Sequence, residues 1–441
     1  MLSEKNKILI AGIGIAILAA AAPLSTKLTS IVSILLVLAW ILEGKWRFKW
    51  QAIKKNYLLL IFICFYLLHI IGLLYTQDVN SGLFDLEKKL SLILLPLIIG
   101  SSMLLREDKH LRERLHTWFV VSCFAAILFC LGHGFYRYLA EIPPVSSVYG
   151  GFEATQQFRT THSGASGIWE YITYSELLLP LGTHPTYMAI YLLMCISILI
   201  EKVSYFQQYK KRQHLFLHLM LLVFFTVAIF LLASRVAIIL YVLVISFYLF
   251  KFFRKQLSWR LILPIGVASV IALAVLVNYV PVVKHRFVND FTMLGQSHST
   301  DNPGTGMSMR IAFWKTALAV LEKYPTIGVG TGDLEEAMSV EYINNELSDL
   351  QGYNPHNQYL QTGIMLGITG VALLLLLLLY PLVMALRRGD SIYIVFILIV
   401  SVSFLTESVL QSNKGIVFFA LFNSVYFITT KYIKQERVGS N

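Results

Sequence analysis

Arg235, Arg310, Lys88, Lys89, His184, His356 and Glu407 all stand at or beside the ends of long apolar runs. An ionisable side chain is costly there and is by default a candidate for function. Arginine stays charged at every physiological pH and presents a planar fork that grips phosphate oxygens in pairs, so two of them can hold a diphosphate. Histidine titrates near ~6.5 and can take a proton from a hydroxyl at neutral pH. Together these types suit displacement of a diphosphate leaving group by a hydroxyl nucleophile. The outer loops contain no DxD pair and no cluster of His, Cys and Asp of the kind a zinc or magnesium site needs, so the reading requires no metal and no cofactor.

Each residue also has a plainer role open to it. Arg235 follows Ser234 directly, between two apolar runs, and can snorkel to lipid headgroups. Arg310 lies one helical turn before Trp314 and can stack on it as a solvated cation. Lys88 and Lys89 suit an interfacial anchor, and Glu407, about one turn inside an apolar run, suits a partner for Lys414. His356, next to Asn357 in NPHNQYLQTGIMLG, can be a loop or helix-start histidine, and His184 in THPTY precedes a proline suited to a first helical turn.

The elements that must position these groups follow from composition. The 441 residues are 56% hydrophobic and 14% charged, with a mean hydropathy of +0.67. That balance belongs to an all-α polytopic membrane protein. Apolar runs recur over 8–22, 28–43, 57–75, 89–105, 116–138, 184–200, 215–233, 236–253, 261–280, 359–386, 391–411 and 415–431, about twelve transmembrane helices. With both termini cytoplasmic, most of the 36 Lys and Arg fall in the short inner segments, as the positive-inside bias requires. That topology accounts for the net charge of +11 without nucleic acid as a partner. The first span, after Lys5 and Lys7, reads as a retained signal anchor rather than a cleaved signal peptide, and all four cysteines fall inside spans.

The chain therefore divides into 1–280 with nine spans, an outer loop at 281–358, and 359–441 with three spans and a cytoplasmic tail. A second outer loop, 139–183, carries Pro143-Pro144 and a Gly/Ser/Thr-rich stretch that reads as partly flexible. Residues 281–358 are long enough for a small helical periplasmic subdomain between spans nine and ten. In it, Ile311, Trp314, Leu318 and Leu321 predict an amphipathic helix over 309–323 lying against the membrane rim, with Ser308 as cap. Asp333 and Glu336 have capping-box spacing and predict a second helix through about Leu350. GVGTG, Gly328 to Gly332, lacks the Lys-Ser/Thr of a P-loop and reads as a turn.

SRVAIILY (234–241), MRIAFWKTALAVLEKYPTIGVGTGDL (309–334) and NPHNQYLQTGIMLGITG (354–370), with HPTYMAIY (184–191) and LTESVLQSNKGIVFF (405–419), resemble the O-antigen ligase family of bacterial membrane glycosyltransferases. The resemblance implies transfer of a glycan from an undecaprenyl diphosphate carrier to a hydroxyl acceptor, with lipid A-core the favoured one, on the periplasmic face of the inner membrane. It further implies that Arg235 and Arg310 hold the diphosphate, with Lys89 a looser match near the donor headgroup, and that His356 is the general base. His184, Asn357, Glu407 and Trp314 are candidate supports. Three other readings stay open: an O-antigen polymerase, a protein O-oligosaccharyltransferase, and a non-enzymatic transporter of lipid-linked glycan. The last is disfavoured because no internal repeat is visible and the charges gather at one lip.

Overall fold

The computed structural model describes residues 3–142, 167–254 and 306–430, with isolated helical positions between 263 and 275. The regular elements among them are all helical. In chain order they are α1 (Glu4–Leu24), α2 (Thr26–Glu43), α3 (Trp46–Lys55), α4 (Tyr57–Leu73), α5 (Val79–Lys89), α6 (Ser91–Ser101), α7 (Met103–Glu107), α8 (Leu111–Leu139), α9 (Pro185–Gln208), α10 (Arg212–Leu231), α11 (Arg235–Arg254), α12 (Gly306–Lys323), α13 (Leu334–Asn344), α14 (Gln358–Arg388), α15 (Ser391–Thr406) and α16 (Asn413–Thr429). Seven of them, α1, α2, α8, α9, α10, α11 and α14, are long and apolar enough to cross a membrane, and the α3–α4 segment, bent by 87° with its apolar part in α4, brings the candidates to eight. The chain is an all-α polytopic membrane protein. The twelve spans expected are not all recovered as single long helices. Most of the ninth, 261–280, lies outside the described residues, as do 281–305 and the loop segment 143–166.

Two of the expected spans are built differently. The run 89–105 is divided: Lys89 ends the amphipathic α5, and α6 has only 11 residues with Pro96 inside it. Such a helix is ~17 Å long, well short of a ~30 Å hydrocarbon core. The run 391–411 stops at Thr406, where Glu407 adopts extended backbone and a 3-10 turn, Val409–Gln411, leads to α16. Glu407 therefore sits at a helix break rather than one turn inside a span.

One compact unit comprises residues 1–119 and 294–441. α16 is its central helix, buried on nearly every side from Lys414 to Tyr426 and packed on α6. Its Phe418, Phe422 and Tyr426 pack ring against ring with one another and with Phe396 of α15. Elsewhere, Ile31, Ile34 and Leu35 on α2 and Ile368, Leu376 and Leu379 on α14 are exposed, as lipid-facing residues are.

α14 is broken near its start. Gly367 has φ of 63°, so the helical ladder is interrupted and backbone groups are left to be satisfied elsewhere. The GVGTG turn and the residues leading into it do this: Val329 N–H donates to Ile364 O at 2.8 Å, Gly330 N–H to Met365 O at 3.1 Å, and Ile368 N–H to Pro325 O at 2.9 Å. A Cβ on Gly367 would come within 2.2 Å of Thr326 O, so only glycine fits. The same turn reaches α4, where Thr331 Oγ1–H donates to His69 O at 2.6 Å. GVGTG is thus a turn, and it acts as a clamp between α4 and α14.

The helices of the loop subdomain differ from the expectation in detail. α12 starts at Gly306, so Ser308 lies within the helix rather than at its N-terminal boundary. Its buried face is Ala312, Phe313, Ala317 and Val320, packed with Leu334, Met338, Tyr342 and Ile364, whereas Ile311 and Leu318 of the expected stripe are exposed. α13 ends at Asn344, six residues early, and the Asp333 carboxylate does not cap it. It accepts instead from the backbone N–H groups of Gln77 and Asp78, at 2.8 Å each, fastening the subdomain to the turn before α5. Lys323 pairs with Glu341 to join α12 to α13, and that ion pair holds the Glu341 carboxyl below the usual glutamate range.

The other compact unit, residues 120–293, centres on α9, which packs on α10 and α11. Buried Arg137 and Glu176 pair at 2.7 Å and tie α8 to the one-turn helix Tyr174–Leu177.

Candidate functional site

His356 lies in the short link before α14. Its φ is 44°, a left-handed conformation that costs a non-glycine residue on the order of 1–2 kcal/mol and must be held in place by its surroundings. Asn354 supplies that hold: its Oδ1 accepts the His356 backbone N–H at 2.9 Å and the Ser408 hydroxyl at 3.4 Å. Asn357 then caps α14, its Oδ1 accepting from Tyr359 N–H and Leu360 N–H at 3.0 and 3.1 Å. The two asparagines of NPHN therefore fix the turn on both sides of the histidine.

The ring itself has two partners. Phe313 on α12 stacks against it, with centroids 5.7 Å apart and planes at 27°. Its Nδ1 lies 3.1 Å from Glu407 Oε1, the His356 side chain being 30% exposed and that of Glu407 only 8%. With Glu407 ionised, its carboxylate can only accept, and a neutral His356 then donates from Nδ1–H and keeps its lone pair on Nε2. Such an imidazole is oriented to take a proton from a hydroxyl and to hold it as an imidazolium beside the carboxylate. The helix break at Glu407 makes this possible, because the extended residue turns its side chain to the His356 link. A further tie crosses the same junction, where Leu410 N–H donates to Gln358 Oε1 at 2.7 Å.

A cavity of about 850 Å³ opens beside this turn. Its wall includes Asn354, Tyr353, Phe84, Lys88, Glu335 and Gln411. Phe84 and Tyr353 expose 59% and 46% of their surface, and Lys88 sits over the Phe84 ring at 4.1 Å. Gln411 Oε1 is buried there without a hydrogen-bond partner. Aromatic faces interleaved with carboxylate, amide and hydroxyl groups can bind a sugar, whose C–H face stacks and whose hydroxyls need partners.

The other sequence candidates divide between the two units. Arg310 and Trp314 are half-buried one turn apart on α12, the helix that brings Phe313 to His356. The Trp314 indole N–H is buried without a hydrogen-bond partner. Lys89 is enclosed, 1% exposed, and paired with Asp85 one turn earlier on α5, so Lys88 is the lysine on the cavity wall. In the second unit Arg235 is the first residue of α11, after a connection of only Leu232–Ser234 with Ala233 at φ 46°. His184 there caps α9, its Nδ1 accepting from Thr186 N–H at 3.4 Å. The contributions of Asn354, Phe313 and Ser408 were not foreseen. Only Asn354 left a signal, as a turn-forming residue ahead of Pro355.

Residues 220–375 match the family model described as O-antigen ligase. The matched segment contains Arg235, Arg310, Trp314, His356 and Asn357. A search of curated proteins returns no match.

Proposed function

Proceeding from membership of the O-antigen ligase family, we propose that this chain moves a glycan from an undecaprenyl diphosphate carrier to a hydroxyl of lipid A-core at the periplasmic face of the inner membrane. At the coarser level it is a membrane glycosyltransferase of the O-antigen ligase/polymerase type. The observation that carries the finer reading is the Glu407-oriented His356 beside a cavity suited to sugar.

In the proposed reaction the acceptor sugar rests against Tyr353 or Phe84, its hydroxyl directed to His356 Nε2. As Nε2 takes the proton, the acceptor oxygen attacks the anomeric carbon of the donor from the side opposite the diphosphate. The bond from that carbon to the diphosphate oxygen breaks, the configuration inverts, and the lipid diphosphate leaves with the electron pair. Arg310 and Arg235 are assigned to the diphosphate, whose charge rises as the bond breaks. Lys88, with Lys89 next to it in the chain, adds positive field. Glu407 offsets the charge gained by His356, and Trp314 and Asn357 hold α12 and the start of α14 in register. His184 is left with a structural part, capping α9.

The test is reconstitution of purified protein in nanodiscs with an undecaprenyl diphosphate-linked glycan and lipid A-core, with EDTA present. Glycan on the core that disappears in His356→Ala supports the ligase reading. Longer lipid-linked chains without core product mean a polymerase, transfer to a protein hydroxyl means an oligosaccharyltransferase, and no bond formation with any acceptor removes the enzymatic reading.

A further inference from the structure

α14 connects two ends of its unit. It begins beside His356, and from the break at Gly367 to Arg388 it runs ~30 Å, the thickness of a hydrocarbon core. At the Arg388 end lies a cavity of about 220 Å³ lined by Lys55, Asn56, Arg106, Tyr380, Met384, Arg388, Phe427 and Ile428. Three side chains of that lining are cationic and none is acidic. The carboxylate that follows in the chain, Asp390, is already matched by Arg112 through two bonds of 2.7 Å. Apart from Asn56, whose Oδ1 caps α4 by accepting from Leu59 N–H, the rest of the lining is apolar or aromatic, with the rings of Tyr380 and Phe427 5.8 Å apart.

The surroundings place this cavity at a membrane boundary. α3 turns by 87° into α4 at Lys55 and Asn56. With α4 crossing the bilayer, α3 lies along its surface. α3 has the composition of an interfacial helix: Trp46 and Trp50 are 55% and 60% exposed, and Arg47, Lys54 and Lys55 are exposed beside them. A small basic cavity between helices, apolar on one side and opening at the headgroup level, satisfies both halves of an anionic lipid.

We propose that the cavity lined by Lys55, Arg106 and Arg388 binds the phosphate headgroup of an anionic glycerophospholipid, with its acyl chains lying along Tyr380, Met384 and Phe427. Free phosphate shares the headgroup chemistry but leaves the apolar side unused. This site is independent of the catalytic reading and stands at the opposite end of α14 from His356.

The experiment uses the full chain, delipidated in detergent, and follows binding of dioleoyl phosphatidylglycerol, dioleoyl phosphatidylcholine or inorganic phosphate by native mass spectrometry and by thermal shift. Wild type is expected to bind one phosphatidylglycerol at least about tenfold more tightly than phosphatidylcholine. The double variant Lys55→Gln/Arg388→Gln should lose about tenfold of that preference while its lipid-free melting temperature stays that of wild type. If Arg388→Gln prevents folding, Lys55→Gln alone, at an exposed side chain, should still lose about threefold. Equal binding of the two lipids, or a variant that binds phosphatidylglycerol like wild type, overturns the proposal. Protection by inorganic phosphate equal to that of the lipid, and equally lost in the variant, overturns its lipid part.

Discussion

Two pairs of a basic side chain with a carboxylate in one unit of this protein differ in how far their members are exposed. Lys89 and Asp85 are one turn apart on α5, and both are enclosed, with side chains 2% and 8% exposed. His356 and Glu407 are 51 residues apart, and the carboxylate is buried while the imidazole is 30% exposed. Both pairs match a basic side chain to an acid. Only the second has a member that is substantially exposed, the His356 imidazole; the cavity wall carries Asp85 of the first pair and Asn354, two residues before His356, of the second. The first can hold the helix and shape the local field. The second can also exchange a proton with something that arrives. The lesson is that charge at a membrane lip does not by itself mark a reacting group; partial exposure of one partner does.

That contrast predicts an ordered set of effects. His356→Ala should lower transfer by about 10³-fold, within the range a general base supplies, with little change in melting temperature. Glu407→Gln keeps the shape but removes the charge that stabilises imidazolium, and should cost on the order of 10² in rate, again with a folded protein. The Lys89 pair should behave in the opposite way. Lys89→Met leaves Asp85 buried and unmatched and should destabilise by ~3–5 kcal/mol, whereas Lys89→Met/Asp85→Leu should recover most of the loss. Activity per folded molecule should fall less than tenfold in either. Melting curves and single-turnover transfer on the same preparations separate the two patterns, and a Lys89 variant that stays stable but loses all transfer would reverse the contrast.

Smaller effects concern the scaffold that brings His356 to its place. Gly367→Ala forces a Cβ against Thr326 O and should cost about 1–3 kcal/mol, read as a lower melting temperature. Asp333→Asn weakens the hold on Gln77 and Asp78 and should cost about 1 kcal/mol. Smallest of all is the Lys323–Glu341 pair. Because the Glu341 carboxyl is held below its usual range, its contribution is present at neutral pH and is lost as pH falls through the lowered value. A melting temperature of Glu341→Gln that tracks wild type below that range and lies slightly under it above would match.

How much of this was legible in the sequence depends on range. Long apolar runs gave α1, α2, α8, α9, α10, α11 and α14 because a membrane span is a local property of composition. The hairpin at Ser234-Arg235 was legible for the same reason. The pairing of His356 with Glu407 was not, since nothing local connects them, and the nearer Lys414 was the obvious partner for the acid. Asp333 had capping-box spacing, yet its carboxylate found two backbone donors from the turn before α5, a tertiary contact that outweighed the local one. The enclosure of Lys89 did leave a trace: Asp85 and Lys89 are spaced i, i+4 in DLEKK, the spacing of a helical ion pair. The stripe Ile311, Trp314, Leu318 and Leu321 misled because α12 is apolar on two faces, and the packed one carries Phe313.

The central claim is that His356 and Glu407 act as one proton-accepting unit in glycosyl transfer. Its most direct test is a double-mutant cycle on single-turnover transfer rate with His356→Ala, Glu407→Gln and the combined variant. If the residues form one unit, the combined variant should transfer within about threefold of His356→Ala alone, because the carboxylate has no imidazolium left to stabilise. Losses that multiply would mean that Glu407 acts without the histidine, and the account of the pair would be wrong.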